Sequence, residues 1–189
     1  MRRLVAIGAS AGGFQALTQI LGRLPLDFAG SLAIVQHRRP DESSLLRELL
    51  AQRCPLPVTE PYHDTPLRPG HVYIAPPDYH LLIEPGALAL SVDAPINMSR
   101  PSIDVLFESA ASSYRQRAVG VVLTGANADG ARGAARLHEV QAPLIVQDPA
   151  TATAPECPTA ALARVPTALV LPVSEIAAHL VTLCGRSRA

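Results

Sequence analysis

The stretch "LVAIGASAGGFQAL", residues 4–17, begins with an apolar run and then breaks into small residues around one serine. The apolar run Leu4–Gly8 is typical of a strand that is buried on both faces within a parallel sheet. Beyond the break, apolar residues recur at helical spacing, at Phe14, Leu17, Ile20, Leu21 and Leu24. The stretch therefore predicts a strand, a tight turn that holds Ser10, and a helix.

The same order of strand and helix recurs along the chain on both sides of a different middle segment. A second buried strand is predicted at Leu32–Gln36 and a helix at Ser43–Arg53. After a further helix that follows Pro101, the predicted elements are strands at 118–125, 143–148 and 168–172 and helices at 130–140, 158–164 and 174–183. This order predicts an α/β fold, a doubly wound, mostly parallel sheet flanked by helices.

The middle segment, residues 54–96, is rich in proline and contains three short β-type runs. The runs are His71–Ala75, His80–Glu84 and Ala87–Val92, and Pro-Pro-Asp and Pro-Gly turns separate them. Short strands at this spacing predict antiparallel pairing. We expect an antiparallel β-hairpin extension within a single domain that spans residues 1–189.

Composition excludes several classes of function. Sixteen basic residues balance sixteen acidic ones, so the net charge does not favour binding to nucleic acid. All basic residues are arginine, which excludes lysine Schiff bases and a Walker-type phosphate site. The three cysteines, Cys54, Cys157 and Cys184, form no CxxC pair, and we expect neither a metal site nor a disulfide framework. No signal peptide or membrane-spanning run is present, which predicts a soluble, cytoplasmic protein without membrane insertion.

The serine turn allows three interpretations. A dinucleotide fingerprint needs G-x-G-x-x-G, but Ser10 occupies the position of the second glycine. Gly8, Ser10 and Gly12 instead match G-x-S-x-G, the strand-to-helix elbow that exposes a nucleophilic serine above a sheet. A serine that only caps the first helix is the third possibility.

A serine nucleophile needs a base, and His37 is the best placed of six histidines. It follows the strand Leu32–Gln36 directly, as Ser10 follows the first strand, so both should lie at the edge where open α/β sheets bind ligands. We interpret the other histidines as packing or surface residues, at positions 63, 71, 80, 138 and 179.

The acid that orients the histidine has two candidates. Asp129 ends the loop "TGANADG" after an apolar strand, and Asp148 ends the strand "PLIVQD". A role as the N-cap of the helix that begins at Gly130 would explain the position of Asp129 equally well. We favour Asp129, which gives the chain order Ser, His, Asp, unlike the Ser, Asp, His order of α/β-hydrolases.

Five ordered segments, "AIGASAGG", "IVQH", "RPSIDVLF", "AVGVVLTGANADGARG" and "VQDPATATAPECP", resemble the catalytic domain of CheB-type chemoreceptor methylesterases. The middle "LRPGHVYIAPPDYHLLIE" is similar to a segment of the same family. The resemblance implies hydrolysis of glutamate γ-methyl esters on bacterial chemoreceptors with release of methanol, and deamidation of receptor glutamines as a second activity. It implies no cofactor.

The resemblance also implies roles for individual residues. Ser10 is the nucleophile, His37 the general base and then acid, and Asp129 the orienting carboxylate. Backbone N–H groups of the elbow and of the loop before Asp129 would form the oxyanion hole, at Ala11, Gly12, Gly13 and Ala126. Ala126 stands where many members have methionine, and Cys157 stands where a methionine before proline is common.

Three further side chains are predicted to contact the substrate, namely Arg38, Arg100 and Asn127. Arginine suits acidic groups around a target glutamate, because its planar fork binds both carboxylate oxygens. Arg39, next to Arg38, is a further candidate for the same reason.

The resemblance implies the cytoplasmic helices of methyl-accepting chemoreceptors as partners. Because Ser10 lies close to Met1, we expect no receiver domain before it in this sequence, which is either a stand-alone catalytic protein or a trimmed form of a longer one. A separate regulatory protein is a further candidate partner. We expect a monomer. Two alternative functions are a small-molecule carboxylesterase with the same triad and a catalytically idle module that binds receptors or a signalling partner.

Overall fold

The computed structural model describes residues 3–39 and 45–187, and its strands and helices alternate as the sequence predicts. The strands are β1 (Leu4–Ala9), β2 (Ser31–Gln36), β3 (Val58–Thr59), β4 (Thr65–Pro66), β5 (Val72–Ile74), β6 (His80–Glu84), β7 (Ala87–Ser91), β8 (Ala118–Val122), β9 (Leu144–Gln147) and β10 (Leu169–Leu171). The helices are α1 (Gly13–Leu21), α2 (Leu45–Ala51), α3 (Ile103–Tyr114), α4 (Ala131–Glu139), α5 (Glu156–Arg164) and α6 (Val173–Cys184). Ser43, where we expected α2 to begin, lies outside the described residues.

The central sheet has seven strands in the order β10-β9-β8-β1-β2-β5-β3, and each neighbouring pair is parallel. From β1 the chain first adds strands on one side and then, at β8, continues on the other side. The strand order therefore reverses between β1 and β8, which confirms the doubly wound fold. Ligand sites of open α/β sheets form at such a reversal, beyond the carboxyl ends of the strands.

Both faces of the inner strands are buried, and the residues of these strands alternate between two cores. Leu4 and Ala6 of β1 face one core, whereas Val5 and Ile7 face the other. Residues of α3, α4 and α5 pack in the first core, and residues of α1, α2 and α6 pack in the second. Because β1 is buried along its whole length, its carboxyl end is held in a fixed position. The position of the loop that follows β1 is fixed in the same way.

The middle segment is only partly antiparallel. β6 and β7 form the predicted hairpin, and β4 pairs with β7 to complete a three-stranded sheet. The run His71–Ala75 contains the predicted strand, but its predicted antiparallel pairing was wrong, because β5 joins the central sheet in parallel with β2 and β3. Its run Val72–Ile74 is buried throughout, as a strand covered on both faces must be. The small sheet packs Leu81, Ile83 and Leu88 into the same core as α3.

Within residues 3–39 and 45–187, none of the helices has the length and apolar character needed to cross a bilayer.

Candidate active site

Ser10 lies in a tight turn between β1 and α1, at the edge where the strand order reverses. Its N–H donates to the Thr124 carbonyl at 2.9 Å, which joins the turn to the loop after β8. Gly12 has φ +79°, and a Cβ there would lie 2.6 Å from Cβ of Thr153. Only glycine fits this left-handed and crowded position. The turn thus joins β1 to α1 and holds Ser10 at the edge of the sheet, which is the position that the predicted elbow requires.

His37 follows β2 and contacts both other members of the predicted triad. Its Nδ1 lies 3.2 Å from Oγ of Ser10, and its Nε2 lies 2.8 Å from Oδ2 of Asp129. A carboxylate only accepts hydrogen bonds, so Nε2 carries the proton and Nδ1 offers its lone pair to the serine hydroxyl. The two ring nitrogens therefore exchange the roles that they have in chymotrypsin.

Asp129 is fully buried and receives hydrogen bonds on both carboxylate oxygens. Oδ1 accepts from Oγ of Ser102 at 2.8 Å, from Nδ2 of Asn97 at 3.2 Å and from the Asp104 N–H at 3.2 Å. Oδ2 accepts from the Ile103 N–H at 2.7 Å as well as from His37. The carboxylate therefore sits at the N-terminus of α3, where free N–H groups and the helix dipole favour negative charge.

These contacts decide the charge of Asp129. Burial acts to raise the pKa of the carboxyl group, but hydrogen bonds from His37, the Ile103 N–H and Ser102 outweigh it and hold the pKa below its ordinary value. Asp129 is thus an anion at neutral pH. It can orient the His37 ring and stabilise the imidazolium that forms when Ser10 loses its proton.

Asp129 does not cap α4, which was the alternative explanation of its position. Asp104, in the first turn of α3, takes that role: its Oδ1 accepts from the N–H groups of Gly130 and Gly133 at 3.0 and 2.8 Å. Asp104, which lies in α3, thus caps α4, whereas Asp129, which precedes α4, accepts hydrogen bonds from the N-terminus of α3. Burial raises the pKa of Asp104, and the nearby charge of Asp129 raises it further.

Gln36 connects the backbones of the nucleophile and the base. Its Nε2 donates to the carbonyl of Ser10 at 2.8 Å and to that of His37 at 3.0 Å. The amide lies against Gly13, where a Cβ would come 2.0 Å from Oε1 of Gln36. Glycine at position 13 therefore leaves room for this bridge.

The predicted oxyanion donors divide into two groups. The Gly13 N–H donates to the Ser10 carbonyl at 2.8 Å, so including Gly13 among the donors was wrong. No acceptor within residues 3–39 and 45–187 binds the N–H groups of Ala11, Gly12 or Ala126. These three groups lie in the turn after β1 and the loop after β8, and remain available for a developing negative charge.

The side chains predicted to bind substrate already have partners. Arg38 donates through Nη2 to Glu60 and to the Ala75 carbonyl, and only 2% of its side chain is exposed. Arg100 donates through Nε and Nη2 to Asp78, at 2.9 and 2.7 Å, and through Nη1 to two carbonyls. Oδ1 of Asn127 accepts from the Asp129 N–H at 3.1 Å. Contact of either arginine with a substrate carboxylate therefore requires exchange of an existing bond.

Two cavities open beside His37. The larger, of about 710 Å³, extends along the serine turn and is lined by Ser10, Gly12, Phe14, His37, Arg39 and Leu46 among others. The smaller, of about 160 Å³, is lined by His37, Asp78, Met98 and Arg100 among others. A substrate in the larger cavity would meet the Ser10 hydroxyl.

The three thiols are poor nucleophiles in this fold. Burial raises the pKa of Cys157 and of Cys184 to about 11 and also raises that of Cys54. At pH 7.5 we expect iodoacetamide to alkylate the folded protein at least about tenfold more slowly than the protein in urea, because only thiolates react. Mass spectrometry of timed samples measures the rates. Rapid alkylation of buried Cys157 would contradict this expectation.

Sequence reasoning missed the residues that hold Asp129 and the bridge at Gln36. A signal was present for Ser102, since "PSID" before an apolar helical run marks a helix N-terminus with free N–H groups. Asn97 and Asp104 gave no comparable signal. Gln36 is a polar residue at the end of an otherwise apolar buried strand, which indicates a buried hydrogen-bond partner.

Comparisons with known proteins give matches to a single protein family. The profile of the family described as CheB methylesterase matches residues 5–180. A Leptospira interrogans protein with the provisional assignment protein-glutamate methylesterase/protein-glutamine glutaminase is 39% identical over 180 residues, which cover 95% of this chain and 93% of that protein. A Hahella chejuensis protein-glutamate methylesterase/protein-glutamine glutaminase is 41% identical over 182 residues, 94% of this chain and 50% of the relative. The crystal structure of the Thermotoga maritima CheB methylesterase catalytic domain superposes with a TM-score of 0.92 at 31% identity, covering 97% of this chain and 99% of that domain.

Proposed function

The chain belongs to the CheB methylesterase family, and we propose that Ser10, His37 and Asp129 carry out the family's reaction, the hydrolysis of protein glutamate γ-methyl esters. The observation that supports this assignment most strongly is the unbroken line of hydrogen bonds from Oγ of Ser10 through both nitrogens of His37 to the buried Asp129 carboxylate. That line ends at the larger cavity, where a substrate carbonyl has access to the serine.

The first half of the reaction forms an ester between the substrate and Ser10. Oγ attacks the γ-carbonyl carbon while Nδ1 of His37 takes the hydroxyl proton, and Asp129 stabilises the resulting imidazolium. The carbonyl oxygen becomes an oxyanion, and the free N–H groups of Ala11, Gly12 and Ala126 are the donors proposed to stabilise it. His37 then returns the proton to the methoxy oxygen, and methanol leaves.

The second half reverses these roles with water. Nδ1 of His37 takes a proton from a water molecule as that water attacks the acyl-enzyme carbonyl, and the imidazolium then protonates the departing Ser10 oxygen. The product is a glutamate carboxylate, and the enzyme is restored. A glutamine side chain follows the same course with ammonia as the leaving group, which is the proposed deamidase activity.

The proposed substrates are the cytoplasmic helices of methyl-accepting chemoreceptors, approached from the side of the larger cavity. Arg39 is exposed at this cavity, and Arg38 and Arg100 lie close to His37. The positive charge of exposed Arg39 suits acidic side chains around a target glutamate. Arg38 and Arg100 would contact such a side chain by exchanging their bonds to Glu60 and Asp78, and Asn127 is a further proposed contact.

Release of methanol from receptors tests this function directly. Receptor membranes methylated with a radioactive methyl donor are incubated with the wild-type protein, and volatile methanol is counted; a generic aryl ester is assayed in parallel. We expect the wild type to release methanol and Ser112→Ala, which removes an exposed hydroxyl on α3, to match it. Turnover of the aryl ester without methanol release would indicate a small-molecule carboxylesterase. Inactivity on both would indicate a binding module, and the proposal would be wrong.

A further inference from the structure

His80, interpreted above as a packing or surface residue, uses both ring nitrogens in the protein interior. It is the first residue of β6 and is 1% exposed. Nε2 lies 3.2 Å from the Ala94 carbonyl oxygen, and Nδ1 lies 3.2 Å from the backbone nitrogen of Ser102. A carbonyl only accepts and a backbone N–H only donates, so these partners fix a neutral ring with its proton on Nε2.

Ser102 connects this ring to the triad. Its N–H donates to His80, its Oγ donates to Oδ1 of Asp129 at 2.8 Å, and the next N–H, of Ile103, donates to Oδ2 at 2.7 Å. The line of hydrogen bonds therefore extends from β6 through Ser102 to Asp129, and from there to the base and the nucleophile. Among the described residues, His80 makes the only hydrogen bond from the small sheet to the backbone of Ser102.

We propose that His80 is a positioning residue for the triad, which fixes Ser102 so that the N-terminus of α3 holds Asp129 in its catalytic orientation. The inference rests on the proposed function, because it assigns His80 a part in the same reaction. His80 does not touch the reacting atoms. It acts through Ser102, and its loss would let the Asp129 carboxylate and the His37 ring move relative to Ser10.

Other contacts also hold the small sheet against α3, so a purely structural role of His80 can be tested separately. Oγ of Ser109 accepts from the Ile83 N–H at 3.0 Å, and Oγ of Ser113 donates to the Ile83 carbonyl at 2.8 Å. Both contacts join β6 to α3, as His80 does, but they lie further along the helix and away from Asp129. Ser113→Ala therefore provides a matched control that weakens the same packing without touching the triad.

Two substitutions at position 80 distinguish the effect of losing the hydrogen bond from the effect of changing the shape of the side chain. In His80→Asn, Oδ1 is attached at the same distance along the side chain as Nδ1 and can accept from the Ser102 N–H. In His80→Leu, the side chain fills the space but leaves that N–H buried without an acceptor. His80→Asn should therefore keep most of the activity that His80→Leu loses.

The test uses the full chain and two readouts. Steady-state hydrolysis gives kcat and KM, and proton NMR follows the low-field resonance of Nε2–H of His37. Since a displacement of about 1 Å lowers rates by about 100-fold, we expect His80→Leu to lower kcat about 10- to 100-fold with KM little changed, and to shift or broaden that resonance. His80→Asn should stay within about fivefold of the wild type, and Ser113→Ala should keep both the kcat and the resonance.

Several outcomes would overturn the proposal. These are an unchanged kcat and resonance in His80→Leu, an equal loss in the asparagine and leucine variants, or an equal loss in Ser113→Ala. If His80→Leu does not fold, nitrogen NMR of the wild-type ring decides instead: Nδ1–H or a doubly protonated ring would contradict the acceptor role. The His37 resonance requires no substrate, so the positioning role is tested even if the protein proves inactive on receptors.

Discussion

Ser10→Ala is expected to abolish hydrolysis, with kcat at least about 10⁴-fold below that of the wild type. The Ser10 hydroxyl is the one group of the proposed triad that bonds to the substrate carbon, and alanine leaves His37 with nothing to activate except water. KM should change little, because the cavity walls and the oxyanion donors stay in place. The assay is release of methanol from methylated receptors, with aryl-ester hydrolysis as a second substrate.

The fold should not suffer from this substitution. Oγ of Ser10 contacts the ring of His37, and the turn itself is held by backbone bonds and by the Gln36 amide. We therefore expect the free energy of unfolding to stay within about 0.5 kcal/mol of the wild type, as for most substitutions outside the core. A variant that keeps a tenth or more of the wild-type kcat would contradict the assignment of Ser10 as nucleophile.

Asp129→Asn is expected to lower kcat about 10³- to 10⁴-fold and, unlike Ser10→Ala, to destabilise the fold. Both carboxylate oxygens accept hydrogen bonds, from His37 and Ile103 on one side and from Ser102, Asn97 and Asp104 on the other. Whichever way the new amide turns, its NH₂ group faces N–H donors. Leaving such groups unsatisfied in a buried site costs about 1–3 kcal/mol.

The pH dependence of this destabilisation has a definite sign. The pKa of Asp129 is lower in the folded protein than its ordinary value of about 4. A carboxyl with a depressed folded pKa contributes stability above its unfolded pKa, and that contribution is lost as pH falls through the folded pKa. Urea denaturation should therefore show the largest difference between wild type and Asp129→Asn at pH 6–8 (about 1–3 kcal/mol), and a smaller one below about pH 4.

Asp148→Asn is the matched control, because Asp148 was the competing candidate for the acid. Its carboxylate accepts from the Ala150 N–H at 2.9 Å and caps a short 3₁₀ turn. We expect its kcat to stay within about threefold of the wild type, because the Asp148 carboxylate binds within its own 3₁₀ turn and the Oδ1 of asparagine can still accept from the Ala150 N–H. The assignment would be reversed if Asp148→Asn lost activity and Asp129→Asn kept it.

Local patterns predicted the parts of the site that follow strands. Ser10 and His37 each come directly after an apolar run, and parallel strands bring their carboxyl ends to one edge. Asp129 follows its strand only after a loop, whereas Asp148 comes directly after one, so this rule alone did not favour Asp129. What distinguishes the two aspartates is the N-terminus of α3, which is 25 or more residues away from Asp129 along the chain.

The remaining errors and omissions also concern contacts between residues that are distant along the chain or that depend on how the turn folds. The run Val72–Ile74 reads as a short strand in either sheet, and only its pairing with β2 decides between them. The Gly13 N–H looked like an oxyanion donor, but the turn folds it back onto the Ser10 carbonyl. His80 is linked to Ser102 across 22 residues and Ser102 to Asp129 across 27. Such contacts depend on tertiary packing, which no local pattern in one sequence specifies.

Covalent labelling tests the central claim most directly, namely that Ser10 is a nucleophile activated by His37 and Asp129. The wild-type protein is treated with a fluorophosphonate at neutral pH, and peptide mass spectrometry locates the adduct while ester hydrolysis is followed in parallel. We predict a single adduct on Ser10 that grows as activity falls, slow labelling of Asp129→Asn, and no adduct on Ser10→Ala. An adduct on another residue with loss of activity, or full activity after complete labelling of Ser10, would contradict the account.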